Sequence, residues 1–228
     1  MNSIVQTVTP ALNDSTDFYS KLDFEILSQG GRTFAIDSNV AIEINTDRYA
    51  RSGLKLYQAD WTEQLASLKE QTHVIAINGG HLLADPGNTW IYLMDGEGPN
   101  IKPTTEASAL GNYAGFSLEM VDLLKGIEIY KTLGFESTGG DASQGWIALK
   151  NADDLVVSLM QPNTCPHLFF NPSLTYFNGK EGNPKVIEKL RERGIHLSEE
   201  ITHFNKEGIA DNVIARDPGG FGFFVFND

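Results

Sequence analysis

The sequence predicts an α+β protein made of four similar modules, each a strand, a helix and three further strands. Two short phrases that occur twice support this prediction. The phrase around Phe18 and Tyr19 returns 111 positions later around Ile129 and Tyr130. Asp-Pro-Gly occurs at 85–87 and again at 217–219, each time just before a strand-like run. Such internal repetition indicates a duplicated architecture.

Each module contains one predicted helix, at Ser15–Leu22, Thr62–Lys69, Leu123–Leu133 and Pro184–Arg193. Asn13 and Asp14 precede the first helix and Asp60 precedes the second, where side chains that cap a helix N-terminus are expected. Pro184 suits the first turn of the fourth helix, and Gly194 suits its C-terminal end.

The strands are predicted from period-two alternation. In the last strand of the first module, Ile42 and Ile44 face one side and Glu43 the other, so one face of the sheet is apolar and packs on the helix. The predicted strands are, module by module, Ile4–Thr9, Phe24–Ser28, Arg32–Ile36 and Val40–Asn45; Leu54–Gln58, Val74–Ile77, His81–Leu83 and Thr89–Met94; Gly115–Val121, Phe135–Ser137, Trp146–Leu149 and Leu155–Met160; Ser173–Phe177, His196–Ile201, Asn212–Arg216 and Phe221–Phe226.

The modules are predicted to pair into two domains. The first spans 1–97 (modules 1–50 and 51–97) and the second spans 113–228 (modules 113–163 and 164–228). The stretch between them lacks any period and contains Pro99 and Pro103, which makes 98–112 the predicted linker.

The composition argues against two classes of partner. A formal charge of −13 disfavours binding to nucleic acid or to an anionic membrane surface. Cys165 is the single cysteine, so an intramolecular disulfide is excluded. The first residues show no signal-peptide pattern, and we expect a cytoplasmic protein.

The two repeated phrases, in this order and twice over, resemble the vicinal-oxygen-chelate superfamily, which includes glyoxalase I, bleomycin-resistance proteins and extradiol dioxygenases. The helix phrase and the Asp-Pro-Gly turn carry the resemblance, and together they cover nearly the whole chain. The resemblance implies two glyoxalase-like domains, each with a curved, concave mixed sheet.

The resemblance also implies where a metal would bind. Metal-dependent members hold the ion with His or Glu from the first and last strand of each module. At those positions this sequence carries Ile4, Glu43, Leu54 and Tyr92, then Gly115, Ser158, a residue between Ser173 and Thr175, and Phe224. Only Glu43 is a metal ligand of that kind. We therefore predict no metal site and no cofactor, with a divalent metal as the alternative.

Glu43 is the predicted catalytic residue, because an apolar setting disfavours a charged carboxylate and suits acid–base work. The alternative is that Tyr92 or Gln6 simply hydrogen-bonds Glu43, or that Glu43 faces solvent at a sheet edge. The predicted ligand-binding residues share the concave faces, where the aromatic ones could either wall a ligand or fill the space; they are Gln6, Trp90, Tyr92, Glu119, Ser158 and Phe224.

The leading functional hypothesis is a metal-independent protein, similar to the bleomycin-resistance proteins, that binds a small and partly apolar molecule. Three alternatives stay open: a metal-dependent glyoxalase- or dioxygenase-like enzyme, a metal-free isomerase that uses Glu43, and a structural protein with filled pockets. Homodimer formation is also left open.

Overall fold

A computed structural model describes residues 2–227 of the chain, so the outermost residues of the two predicted domains, 1 and 228, lie outside it. The elements of the first half are β1 (Asn2–Val8), α1 (Leu12–Lys21), β2 (Glu25–Gln29), β3 (Arg32–Ile36), β4 (Ala41–Asn45), β5 (Gly53–Gln58), α2 (Thr62–Gln71), β6 (Val74–Ile77), β7 (Gly80–Ala84) and β8 (Trp90–Asp95). Those of the second half are β9 (Tyr113–Glu119), α3 (Leu123–Thr132), β10 (Glu136–Asp141), β11 (Trp146–Lys150), β12 (Val156–Met160), β13 (Ser173–Phe177), α4 (Gly179–Glu192), β14 (Leu197–Ile201), β15 (Asn212–Arg216) and β16 (Gly222–Phe226).

The predicted α+β fold of four βαβββ modules is confirmed. The strands form two eight-stranded mixed sheets, ordered β2-β3-β4-β1-β5-β8-β7-β6 and β10-β11-β12-β9-β13-β16-β15-β14. In every module the first and last strands pair in parallel, and the two modules of a sheet join through antiparallel first strands. The predicted domain limits remain a prediction.

Two helix starts differ from the prediction. Helix α1 begins at Leu12 rather than at Ser15, so the predicted capping residues Asn13 and Asp14 lie inside it. Helix α4 begins at Gly179, so Pro184 lies inside it rather than in its first turn. A proline that deep in a helix lacks the N–H that would bond the carbonyl four residues earlier. The sequence signal was misleading because proline is usual at the first helical position.

The helix-covered faces of the two sheets share one hydrophobic core. It includes Val5 and Leu54 from the first half and Phe116 and Phe223 from the second. The rings of Tyr19 and Phe223 contact each other edge-on across the two halves, at 6.0 Å between centroids. We call the other side of each sheet, opposite its helices, the open face. No helix among residues 2–227 is long and apolar enough to cross a membrane.

The two repeated phrases contact each other across the two halves. The Tyr19 hydroxyl donates to Asp217 Oδ2 at 3.0 Å, and the Tyr130 hydroxyl donates to Asp85 Oδ2 at 3.1 Å. Each helix tyrosine thus binds the aspartate of the other half's Asp-Pro-Gly turn. Burial raises the pKa of Asp85 to about 6 and moves the pKa of Asp217 in the same direction.

The glycines of the same turns abut the first strand of the opposite half. A Cβ on Gly219 would lie 1.8 Å from the Val8 carbonyl oxygen, and one on Gly87 would lie 2.6 Å from that of Glu119. No heavy atom tolerates such a separation, so glycine at each turn is required by the close approach of the two halves.

Candidate functional site

The open face of the first sheet is occupied by ion pairs around Glu43. Lys55 Nζ donates to Glu43 Oε1 at 2.8 Å, and Arg32 Nη2 donates to Glu43 Oε2. Arg32 also donates to the Tyr57 hydroxyl at 2.7 Å, so its side chain spans from β3 to β5. Burial is the largest influence on the pKa of Lys55 and lowers it, although the negative charge of Glu43 acts in the opposite direction.

The apolar surroundings predicted for Glu43 are therefore wrong. Leu54, assigned above to a ligand position on this face, belongs to the shared core instead, and Lys55 faces the open side. The sequence contained a signal for this placement. Lys55 lies between Leu54 and Leu56, and because side chains alternate along a strand, its side chain lies on the face opposite to theirs. Both oxygens of Glu43 are bound by cations, and its catalytic role stays a prediction.

Apolar side chains close the remainder of this face. Ile4, Phe34, Ile36 and Tyr57 form a buried cluster. Ile101, from the segment between the two sheets, packs against the same cluster. The first open face is thus largely filled by its own side chains and by the linker, and a pocket of about 160 Å³ lies beside Ile4, Ile36 and Ile101.

Gln6, Tyr92 and Trp90 hold the loop that precedes β5. Gln6 Nε2 donates to the Arg51 carbonyl at 2.7 Å, and the Tyr92 hydroxyl accepts from the Arg51 N–H at 3.0 Å. The Arg51 guanidinium lies over the Trp90 ring, 5.7 Å from its centroid. These contacts occupy the polar groups of Gln6 and Tyr92, so a ligand-binding role for the three residues stays a prediction.

The open face of the second sheet, by contrast, contains a cavity of about 450 Å³. Ser158 and Phe224, two of the predicted ligand-binding residues, line it. Every lining side chain is uncharged: Ala114, Ser117, Trp146, Ala148, Val156, Ser158, Met160, Cys165, Phe169, Thr175, Phe177, Phe224 and Phe226. Burial, helped by the negative charge of Glu119, raises the pKa of the Cys165 thiol to about 11, so the thiol is neutral as well.

The segment between β12 and β13, residues 161–172, covers this cavity. It supplies Cys165 and Phe169 to the wall. The ring of His167 contacts the Phe226 ring at 4.9 Å between centroids, and the Leu168 N–H donates to Glu199 Oε2 at 2.8 Å. The predicted strands end at Met160 and resume at Ser173, so the sequence assigned this segment no role in the site.

Glu119 lies beside the cavity and does not contribute to its wall. It ends strand β9, next to Met160 on β12. One of its carboxylate oxygens, Oε1, is buried and has no hydrogen-bond partner among residues 2–227. Its predicted role in ligand binding stays a prediction.

The described side chains do not fit a bound catalytic metal. Within residues 2–227, no three His, Cys, Asp or Glu side chains are grouped so that they could hold one ion. A catalytic zinc or iron site needs about three such protein ligands, and on the first open face Glu43 is bound to protein cations instead. No reaction step is therefore assigned to a metal.

The chain has the fold of the vicinal-oxygen-chelate proteins, as the sequence predicted. Among solved structures it is similar to the 2,3-dioxygenase LapB from Pseudomonas sp. KL28, with a TM-score of 0.59 and 12% identity over 97% of this chain and 89% of that one. A catechol 2,3-dioxygenase gives 0.56 and 12% identity, over 97% and 85% of the two chains. A variant of 4-hydroxymandelate synthase from Streptomyces coelicolor gives 0.56 and 11% identity, over 97% and 90%. No protein-family model and no curated protein matches the sequence.

These neighbours contradict the prediction that the protein has no cofactor. The extradiol dioxygenases among them are metal-dependent, which favours the stated alternative of a divalent metal. The donor groups of this chain and the chemistry of its structural neighbours thus point in opposite directions. At these identities the neighbours establish the fold, and the activity is a separate question.

Proposed function

We propose that the protein binds a small, uncharged and partly aromatic molecule in the cavity of the second sheet. The observation that carries the proposal is the wall of that cavity, which has no charged side chain and includes five aromatic ones. The volume of about 450 Å³ lies within the range typical of small-molecule sites, about 300–1,000 Å³. Aromatic walls favour flat ligands through stacked and edge-on contacts.

The absence of charge in the wall selects against charged ligands. Burying a charged group away from water without a partner is costly, and none of the lining side chains offers a counter-ion. We therefore expect an uncharged aromatic compound to bind far more tightly than its carboxylate analogue. The first open face, filled by the Glu43 ion pairs and by Ile101, is not part of the proposed site.

The test uses the neutral fluorescent dye N-phenyl-1-naphthylamine. We expect saturable binding at one dye per chain, lost in Ala148→Phe, which fills the cavity, and kept in Ala76→Phe, which adds the same ring to an exposed position of β6. A ligand at 100 times its dissociation constant should also raise the free energy of unfolding by about 2.7 kcal/mol. The proposal fails if the dye does not bind, or if both variants bind it as the natural chain does.

The structural neighbours favour a second candidate, a metal-dependent dioxygenase reaction on a small aromatic molecule. Its test is separate from the first. The metal content of protein prepared without chelator is measured by mass spectrometry, and oxygen uptake is followed with catechol after addition of ferrous iron. One iron per chain together with oxygen uptake would establish the second candidate, and protein that neither binds iron nor takes up oxygen would rule it out.

A further inference from the structure

Three hydroxyl groups lie side by side on the floor of the second-sheet cavity. Ser158 on β12 and Ser117 on β9 are register partners in adjacent parallel strands, which lie about 4.8 Å apart. Thr175 is on β13, at the other side of β9, and its Oγ1 lies 2.6 Å from Ser117 Oγ. We call these three residues the hydroxyl row. All three line the cavity.

The hydroxyl row has more donors than the protein uses. Ser117 and Thr175 carry two hydroxyl protons, and their mutual hydrogen bond takes one of them. Among residues 2–227 the other proton has no acceptor, and the Ser158 hydroxyl has no hydrogen-bond partner at all. Ser117 is 4% exposed and Thr175 is 6% exposed, so bulk water does not readily satisfy them. Buried hydroxyl groups favour hydrogen-bonded partners, so the hydroxyl row offers unused donors to a group bound in the cavity.

We propose that the hydroxyl row binds an oxygen atom of the ligand. This inference rests on the proposed function and narrows it: the ligand is an uncharged aromatic compound that carries a hydrogen-bond-accepting oxygen, such as an aryl ketone. The oxygen points to the floor, and the ring lies between the aromatic walls formed by Phe169, Phe224 and their neighbours. A carboxylate would offer acceptors too, but no cation in the wall would balance its charge.

The test compares two probes that differ at one atom position. 2-Acetonaphthone has a carbonyl where 2-ethylnaphthalene has a methylene, and both are measured by displacement of N-phenyl-1-naphthylamine from the full chain. We expect the ketone to bind about 5-fold more tightly than the hydrocarbon, as one net hydrogen bond implies. Thr175→Val and Ser158→Ala should each reduce that preference toward equal binding. Ser137→Ala, which removes an exposed hydroxyl on β10, should leave it unchanged.

The outcomes separate this inference from the proposed function. If both probes bind equally well to the natural chain, the hydroxyl row does not recognise oxygen, although the cavity still binds aromatic molecules. A preference for the ketone that survives both substitutions would also overturn the inference. If the dye itself does not bind in the cavity, the proposed function fails and the inference fails with it. If the dye binds there but neither probe displaces it, the inference alone fails. Ser158→Ala, at a half-buried position, keeps the test valid should Thr175→Val fold poorly.

Discussion

The replacement Asp85→Asn tests whether burial at the contact between the two halves sets the acid stability of the protein. Asp85 accepts the Tyr130 hydroxyl and the backbone N–H groups of Gly87 and Thr89. Desolvation outweighs these bonds and raises the pKa of Asp85 from 3.8 to about 6. An asparagine of the same shape keeps an acceptor for the two N–H groups and a donor for the tyrosine oxygen, but it does not titrate.

The direction in which stability changes with pH follows from proton linkage. A carboxyl group whose pKa is raised in the folded state binds a proton more tightly there than in the unfolded chain. Its contribution to stability is complete below about pH 4 and is lost as the pH rises toward 6. The difference of about 2 pH units corresponds to about 3 kcal/mol, at 1.36 kcal/mol per unit. This loss should be present in the natural chain and absent from Asp85→Asn.

The assay is urea-induced unfolding at several pH values between 4 and 7. Subtracting the free energy of unfolding of Asp85→Asn from that of the natural chain isolates the contribution of Asp85. We expect this difference to fall by about 3 kcal/mol across the range. Asp14→Asn, an exposed substitution in α1, serves as the control for a change of net charge. A difference that stays flat, or that increases with pH, would refute the assignment of a raised pKa to Asp85.

Three further predictions concern other parts of the molecule. Lys55→Met removes one partner of the buried Glu43 and should lower the free energy of unfolding by about 3 kcal/mol. The double variant Lys55→Met with Glu43→Leu should lose less stability than the sum of the losses in the two single variants. Urea unfolding of the natural chain, the two single variants and the double variant measures this. Gly219→Ala places a Cβ 1.8 Å from the Val8 carbonyl oxygen and should destabilise the fold by about 2 kcal/mol. Gly182→Ala in α4, whose Cβ would make an ordinary van der Waals contact with Asn178 Cβ at 3.6 Å, should stabilise it by up to about 1 kcal/mol. Equal melting temperatures for the two variants would contradict the close approach of the halves. The pKa of Cys165 is about 11, whereas that of a free cysteine is about 8.5, so iodoacetamide at pH 8 should modify Cys165 at least about 100-fold more slowly than free cysteine. Mass spectrometry over time measures the rate of modification. Modification as fast as that of free cysteine would show that the thiol is not buried as described.

The fold was predictable because its signals are local and occur twice. Period-two runs identified the strands, and the two repeated phrases set the order of the modules. The structure shows a use for both copies of these phrases. Tyr19 donates to Asp217 and Tyr130 donates to Asp85, so the helix tyrosine of each half binds the turn aspartate of the other half. The helix boundary at Gly179 was missed because Pro184 mimics a helix start.

The candidate site was only partly predictable. Alternation correctly placed Glu43 and Ser158 on the open faces, since side-chain direction in a strand depends on parity alone. It could not show that Arg32 reaches across to Tyr57, nor that Ile101 packs against the first open face. Contacts between residues far apart in sequence depend on how the strands are arranged in space.

By itself, then, the sequence determined the α+β class, the four modules and which side chains share a face, because backbone periodicity follows from neighbouring residues. Only the tertiary structure decided that the first open face is filled and that the second holds a cavity. That outcome depends on long side chains and connecting segments from separate modules, and on whether they meet over the same sheet. Packing of this kind has no local signature, because each contributing residue is compatible with either result until its partners are in place.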